Sequence, residues 1–198
     1  MTETIVDFIR HGEPLGGRRY RGHAIDDPLS DKGWAQMWSA VEAGQWQQVV
    51  TSPLQRCRAF AEALAADRGI PVSMDERWQE VGFGCWEGRR PEDIQQQEPH
   101  QYAAFYADPI NQRPAGAEPW DVFRQRVTDA FTVLLQQYAG QRLLVVTHAG
   151  VIRAVMAHVL QASARAAYGI KVENAGLTRF QCKEQACTLL FHNRTSVC

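Results

Sequence analysis

A chain of 198 residues, 45% hydrophobic and 10% aromatic, is long enough for one compact domain with a sizeable core, which excludes disordered and fibrous architectures. Its formal net charge of −1 gives no ground for a nucleic-acid or membrane-surface partner. Met1-Thr2-Glu3-Thr4 carries an acid where a secretory leader needs positive charge, and no apolar run has the length to cross a bilayer, so a cytoplasmic protein is expected.

In chain order, Thr4 to Ile9 is short, β-branched and apolar, the pattern of a buried strand. A Gly- and Arg-rich loop follows from Gly12 to Asp27. Ser30 is a fitting N-cap for a helix running to Ala43 and stopped by Gly44. Its Trp34 and Trp38, with Trp46 beyond, read as helix packing. Val49-Val50-Thr51 is a second strand, and Pro53 suits the first turn of a helix continuing through Leu64. Ile70-Pro71-Val72 reads as an edge strand, because proline cannot donate to a central ladder. Residues 76–118 hold many glycines and prolines and read as loops and short helices laid over one end of the domain.

A long helix is predicted from Pro119 to Tyr138, with Val122, Val127, Ala130, Phe131, Leu134 and Leu135 on its buried side. Arg142 to Thr147 is the clearest buried strand, and a helix from Gly150 to Leu160 follows directly. Leu177 to Cys182 and Thr188 to Phe191 read as a closing hairpin around Glu184-Gln185. The alternation implies an α/β fold: one domain over 1–198, a three-layer sandwich with a mostly parallel central sheet and helices on both faces. The five cysteines (Cys57, Cys85, Cys182, Cys187, Cys198) include no C-x-x-C pair. They read as reduced thiols, and no His or Cys spacing suits zinc.

Chemistry gathers where strands end. Arg10-His11-Gly12-Glu13 follows the first strand, and Thr147-His148-Ala149-Gly150 joins the strand at 142–147 to its helix. Ser52-Pro53-Leu54-Gln55-Arg56 leads from the second strand into the next. In an open α/β sheet, ligands bind at the carboxyl ends of strands. Neighbouring strands would bring two imidazoles and two guanidinium forks together there, beside the N–H groups of the helix beginning near Gly150. That is a phosphate pocket holding a potential nucleophile. Arg18, Arg19 and Arg21 could form a basic rim to it.

These motifs, with Glu80, Phe83-Gly84-Cys85-Trp86-Glu87-Gly88 and Asp27-Pro28-Leu29-Ser30 before Gly33, resemble the ordered motifs of the histidine phosphatase superfamily, also called phosphoglycerate mutase-like. The resemblance spans nearly the whole chain. It implies that His11 becomes phosphorylated, that Arg10, Arg56 and His148 hold the phosphoryl group, and that Glu80 donates the proton to the leaving oxygen. Neither metal nor other cofactor is implied. Glu87 reads as a hydrogen-bonded loop anchor. Many members have an asparagine beyond the first motif where this chain has Gly16-Gly17, and Arg19 or Arg21 is left to compensate.

The expected activity is hydrolysis of a small phosphorylated metabolite. The short chain and its Arg-His-Gly-Glu-Pro start resemble bacterial phosphatases of the α-ribazole-phosphate type. A phosphoglycerate mutase is the alternative, disfavoured by the short stretch between Glu80 and His148, and a non-catalytic phosphate-binding module is the other. A homodimer is left open.

Overall fold

A computed structural model describes residues 3–184 and 186–196 of the chain. Six strands form one sheet in the order β3 (Val72–Met74), β2 (Gln48–Thr51), β4 (Arg142–Thr147), β1 (Glu3–Arg10), β5 (Leu177–Lys183) and β6 (Ala186–Arg194). The first four run parallel, β5 is antiparallel to β1, and β6 is antiparallel to β5. Alternation of side chains along these strands gives each face its own core. Val6, Phe8, Leu143, Val145 and Phe180 pack with α5 (Trp120–Gln137) and α6 (Ala149–Val159). Ile9, Val49, Leu144, Val146 and Leu177 pack with α1 (Asp31–Val41) and α2 (Gln55–Arg68). The result is the expected three-layer, mostly parallel α/β fold.

Local signals explain most boundaries. Ser30 caps α1, its hydroxyl accepting from the Gly33 N–H at 3.1 Å. Helix α2 runs one turn beyond the expected Leu64, to Arg68, and stops where Gly69 takes a left-handed φ of 63°. An edge strand follows the proline as expected, but β3 begins at Val72, so Pro71 lies just before it. Residues 76–118 hold 3-10 turns at Glu76–Trp78 and Gly84–Trp86, and two short helices, α3 (Pro91–Gln97) and α4 (Pro99–Ala107), each begun by proline. A further short helix, Ala164–Tyr168, lies beyond α6. No helix among the described residues is long and apolar enough to cross a membrane.

Two expectations need correction. Val122 is 53% exposed, and the buried face of α5 is instead set by Trp120, Phe123, Val127, Ala130, Phe131 and Leu134. Spacings of three and four from Trp120 put the neighbouring Phe123 inward and Val122 outward. The cysteines are not all reduced thiols. Antiparallel register sets Cys182 opposite Cys187 on β5 and β6, with Cα atoms 4.1 Å apart, and the two form a disulfide. Cys57 and Cys85 are free, whereas Cys198, like Gln185 of the expected hairpin turn, lies outside the described residues.

Asp7 sits in the middle of β1 with no exposure. Arg179 on β5 grips its carboxylate with two hydrogen bonds, 2.7 and 2.8 Å, and the Trp46 indole N–H donates a third at 2.8 Å. Trp46 therefore ties the α1–β2 connection to the sheet, while Trp34 and Trp38 pack on Phe60. Removing one partner of such a pair strands a buried charge. Asp7→Ala is accordingly expected to cost about 3–5 kcal/mol of folding stability, read from urea denaturation. A loss below about 1 kcal/mol, the worth of an exposed pair, would show that the carboxylate is not integral to the core.

Candidate active site

The chain runs from β1 through β2 and β3 outward, then returns with β4 between β2 and β1. Helix α1 after β1 and α6 after β4 lie on opposite faces, so the β1–β4 edge is a topological switch point, where α/β sheets bind ligands. Register carries the two strands to a common end: Arg10 faces Thr147, and the His11 N–H donates to the Thr147 carbonyl at 2.9 Å. The ring centroids of His11 and His148 lie 5.2 Å apart. Arg56, the second residue of α2, reaches the same place with 1% exposure.

His11 is buried, and its ring Nδ1 lies 2.8 Å from the Gly12 carbonyl. A carbonyl only accepts, so Nδ1 carries the proton and Nε2 keeps its lone pair. Burial, reinforced by Arg56 and Arg10, holds this imidazole well below its ordinary pKa. His148 is likewise held neutral by burial, Arg56 and His11. Its Nε2 is 2.8 Å from the Ser52 hydroxyl, and the Cys57 sulfur packs 3.6 Å from the same nitrogen. Burial pushes the Cys57 thiol pKa up, so it is an inert neighbour.

The arginines are fixed by backbone carbonyls. Arg10 donates from Nη1 to Val172 at 2.7 Å, and burial lowers its pKa to about 10, partly offset by Glu80. Arg56 donates to Ile25 and Gly22 at 2.9 and 2.7 Å. Both keep a buried Nε–H without an acceptor, as does Arg19. Buried donors are ordinarily paired, so their concentration at one cavity fits an anionic ligand. That cavity, about 740 Å³, is lined by Arg10, His11, Arg56 and Glu80 together with Arg18, Arg19, Arg21, Arg153 and Lys171. Among the described residues no group of three or more His, Cys, Asp or Glu side chains could hold a metal ion.

Glu80 reaches the cavity from the unstructured segment between the two 3-10 turns. One carboxyl oxygen accepts from the Val81 N–H at 3.0 Å and the other from the Gly150 N–H at 3.2 Å. One helix N–H expected to face an anion is thus taken by Glu80. A side chain at position 150 would meet that carboxyl and push it aside. Glu87 accepts from Phe83 and Ala24, both at 2.8 Å, and so joins its loop to the first one. Arg21 is locked by Asp27 and by the Leu15 and Gly17 carbonyls, while Arg19 braces Gly16.

A model of the histidine phosphatase superfamily (branch 1) matches residues 6–195. The chain belongs to that superfamily. It is 28% identical over 195 residues to an adenosylcobalamin/alpha-ribazole phosphatase of Escherichia coli, covering 96% of each chain. The crystal structure of a putative alpha-ribazole-5'-P phosphatase from the same species superposes with a TM-score of 0.84 at 27% identity, over 98% of both chains. YhfR of Bacillus stearothermophilus superposes with a TM-score of 0.87 at 25% identity, again over 98% of both.

The site therefore gathers His11, Arg10, Arg56, His148 and Glu80 as the sequence suggested, but His148 lies behind His11 and turns its ring to Ser52. The Ser52 contact was legible only as a motif member. Buried neutral histidines also carry a stability consequence. Below the ordinary imidazole value of 6.5 the unfolded chain takes up protons that the folded site refuses, so stability falls as pH falls through that value. The urea midpoint is expected to drop more steeply from about pH 7.5 to about pH 5 in the native protein than in His11→Gln. Equal slopes would mean that His11 is not held neutral.

Proposed function

We propose that this chain is a phosphomonoester hydrolase working through a phosphohistidine on His11. The observation that carries this reading is the buried neutral His11 ring, its Nδ1 tied to the Gly12 carbonyl and its Nε2 free, beside two arginines with unpartnered N–H groups. Nε2 attacks phosphorus as the ester P–O bond breaks, and Glu80, as the general acid, gives a proton to the departing alkoxide. Arg10, Arg56 and His148 stabilise the charge spread over the equatorial oxygens. Water then attacks the phosphohistidine, its proton passing to the Glu80 carboxylate, and phosphate leaves with His11 regenerated.

The fixed cations supply the charge complement, so the reaction needs no metal. Likeness to the alpha-ribazole phosphatases makes α-ribazole 5'-phosphate the first substrate to test, and a cavity of about 740 Å³ is in the range that takes a ligand larger than a simple phosphate. The phosphoglycerate mutase alternative is not favoured, since two of the three relatives described above carry alpha-ribazole phosphatase names. A phosphate-release screen over sugar, nucleotide, phosphoglycerate and α-ribazole phosphates tests the reading. Turnover is expected to persist in EDTA, to be inhibited by vanadate and to vanish in His11→Ala, with thermal melting retained. Activity above a few per cent of native in folded His11→Ala, or loss in EDTA restored by a divalent ion, would overturn it.

A further inference from the structure

Arg126, on α5, has all five of its N–H donors engaged around the segment that carries Glu80. From Nη1 it donates to the carbonyls of Arg77 and Gln79, at 2.8 and 2.9 Å. From Nη2 it donates to the Glu80 carbonyl at 3.1 Å and to Glu118 Oε2 at 2.9 Å, and Nε donates to Glu118 Oε1 at 2.8 Å. Glu118 continues the clamp: its Oε2 accepts from the Gly82 N–H at 3.2 Å, and its own N–H donates to the Gly82 carbonyl at 3.1 Å. The backbone on both sides of Glu80 is thereby fastened to one guanidinium–carboxylate pair. The pair is well shielded, its side chains 21% and 13% exposed.

Residues 79–83 belong to no helix or strand, so no ladder holds them. Without the clamp, the hydrogen bonds left to Glu80 itself among the described residues would be those of its carboxyl with Val81 and Gly150 and of its carbonyl with the His23 ring, with Arg113 still bonded to the Gly82 carbonyl. Substrate must break some of these, since a carboxyl that protonates a leaving oxygen must turn toward it. Arg126 grips only the backbone and leaves the Glu80 side chain free to make that turn. The planar fork matters, because lysine has three donors on one atom and cannot span three carbonyls and a carboxylate.

We propose that Arg126, held by Glu118, is a positioning residue that aims Glu80 at the leaving-group oxygen. This rests on the reading of Glu80 as the proton donor. Misplacing a reacting group by about 1 Å can cost on the order of 100-fold in rate, and a lost acid matters most when the leaving oxygen is strongly basic.

The test is a double-mutant cycle of Glu80→Gln and Arg126→Lys, read with an alkyl phosphate that the native enzyme turns over and with 4-nitrophenyl phosphate. Arg126→Lys should slow the alkyl ester about 10- to 100-fold. The nitrophenol burst, whose leaving group needs little proton, should slow less than about 3-fold. In the Glu80→Gln background Arg126→Lys should add nothing further, since there is no acid left to aim. Equal slowing of both substrates, or losses that multiply in the double variant, would overturn the proposal and make Arg126 a general structural brace. Glu118→Gln, which keeps the shape and removes the charge, should show the same substrate split and stands in if Arg126→Lys fails to fold. If Glu80→Gln itself leaves the alkyl ester untouched, the proton-donor reading falls and this proposal with it.

Discussion

Parallel pairing of β1 with β4, ending where Arg10 stands opposite Thr147, is the constraint on which the site depends. Both strands are buried on both faces, and a one-residue slip would exchange their inward sets between the two cores. Fixed register means fixed ends. The chain leaves β1 directly into His11 and leaves β4 directly into His148, so the two imidazoles meet without any loop having to find the other. Ser52, following β2, joins the same line through its N–H on the Val146 carbonyl, and from there its hydroxyl meets His148. The polar site is thus an extension of apolar packing.

Electrostatics then follow from that placement. Two imidazoles buried beside Arg10 and Arg56 cannot readily take a proton, and neutrality is what a nitrogen nucleophile requires. The guanidinium groups are hydrogen-bonded to backbone carbonyls, not to carboxylates, so no direct ion pair ties up their charge at the cavity. Preorganised charge of this kind stabilises a transition state without reorganising during reaction. Arg21 differs, since Asp27 neutralises it and its fork is occupied with the loop carbonyls.

The parts of the fold legible in the sequence were those set by short-range pattern. Buried β-branched runs gave β1, β2 and β4, and Ser30 marked the start of α1 through a contact three residues away. Arg10, His11, Arg56 and His148 were legible because each sits at a strand end or in the first turn after one, whereas Glu80, in an irregular segment, was implied only by the family resemblance. Long-range pairings were not. Nothing local distinguishes Asp7 as the partner of Arg179, or Arg126 as the holder of the Glu80 segment, since each joins residues that only the folded chain brings together. The Cys182–Cys187 bond escaped for a related reason: its spacing is meaningless until the hairpin register is known. Val122 was misplaced by the smallest possible error of phase, one residue on a helix whose other buried positions were read correctly.

The central claim is that His11 attacks through Nε2 because Nδ1 is held by the Gly12 carbonyl. Enzyme quenched in base during turnover, then unfolded, can be examined by phosphorus NMR, which separates the two isomers of phosphohistidine. Phosphate on Nε2 of His11, stable in base and lost in acid, is the expected result. Phosphate on Nδ1, on a serine or an aspartate, or on no residue at all, would contradict it.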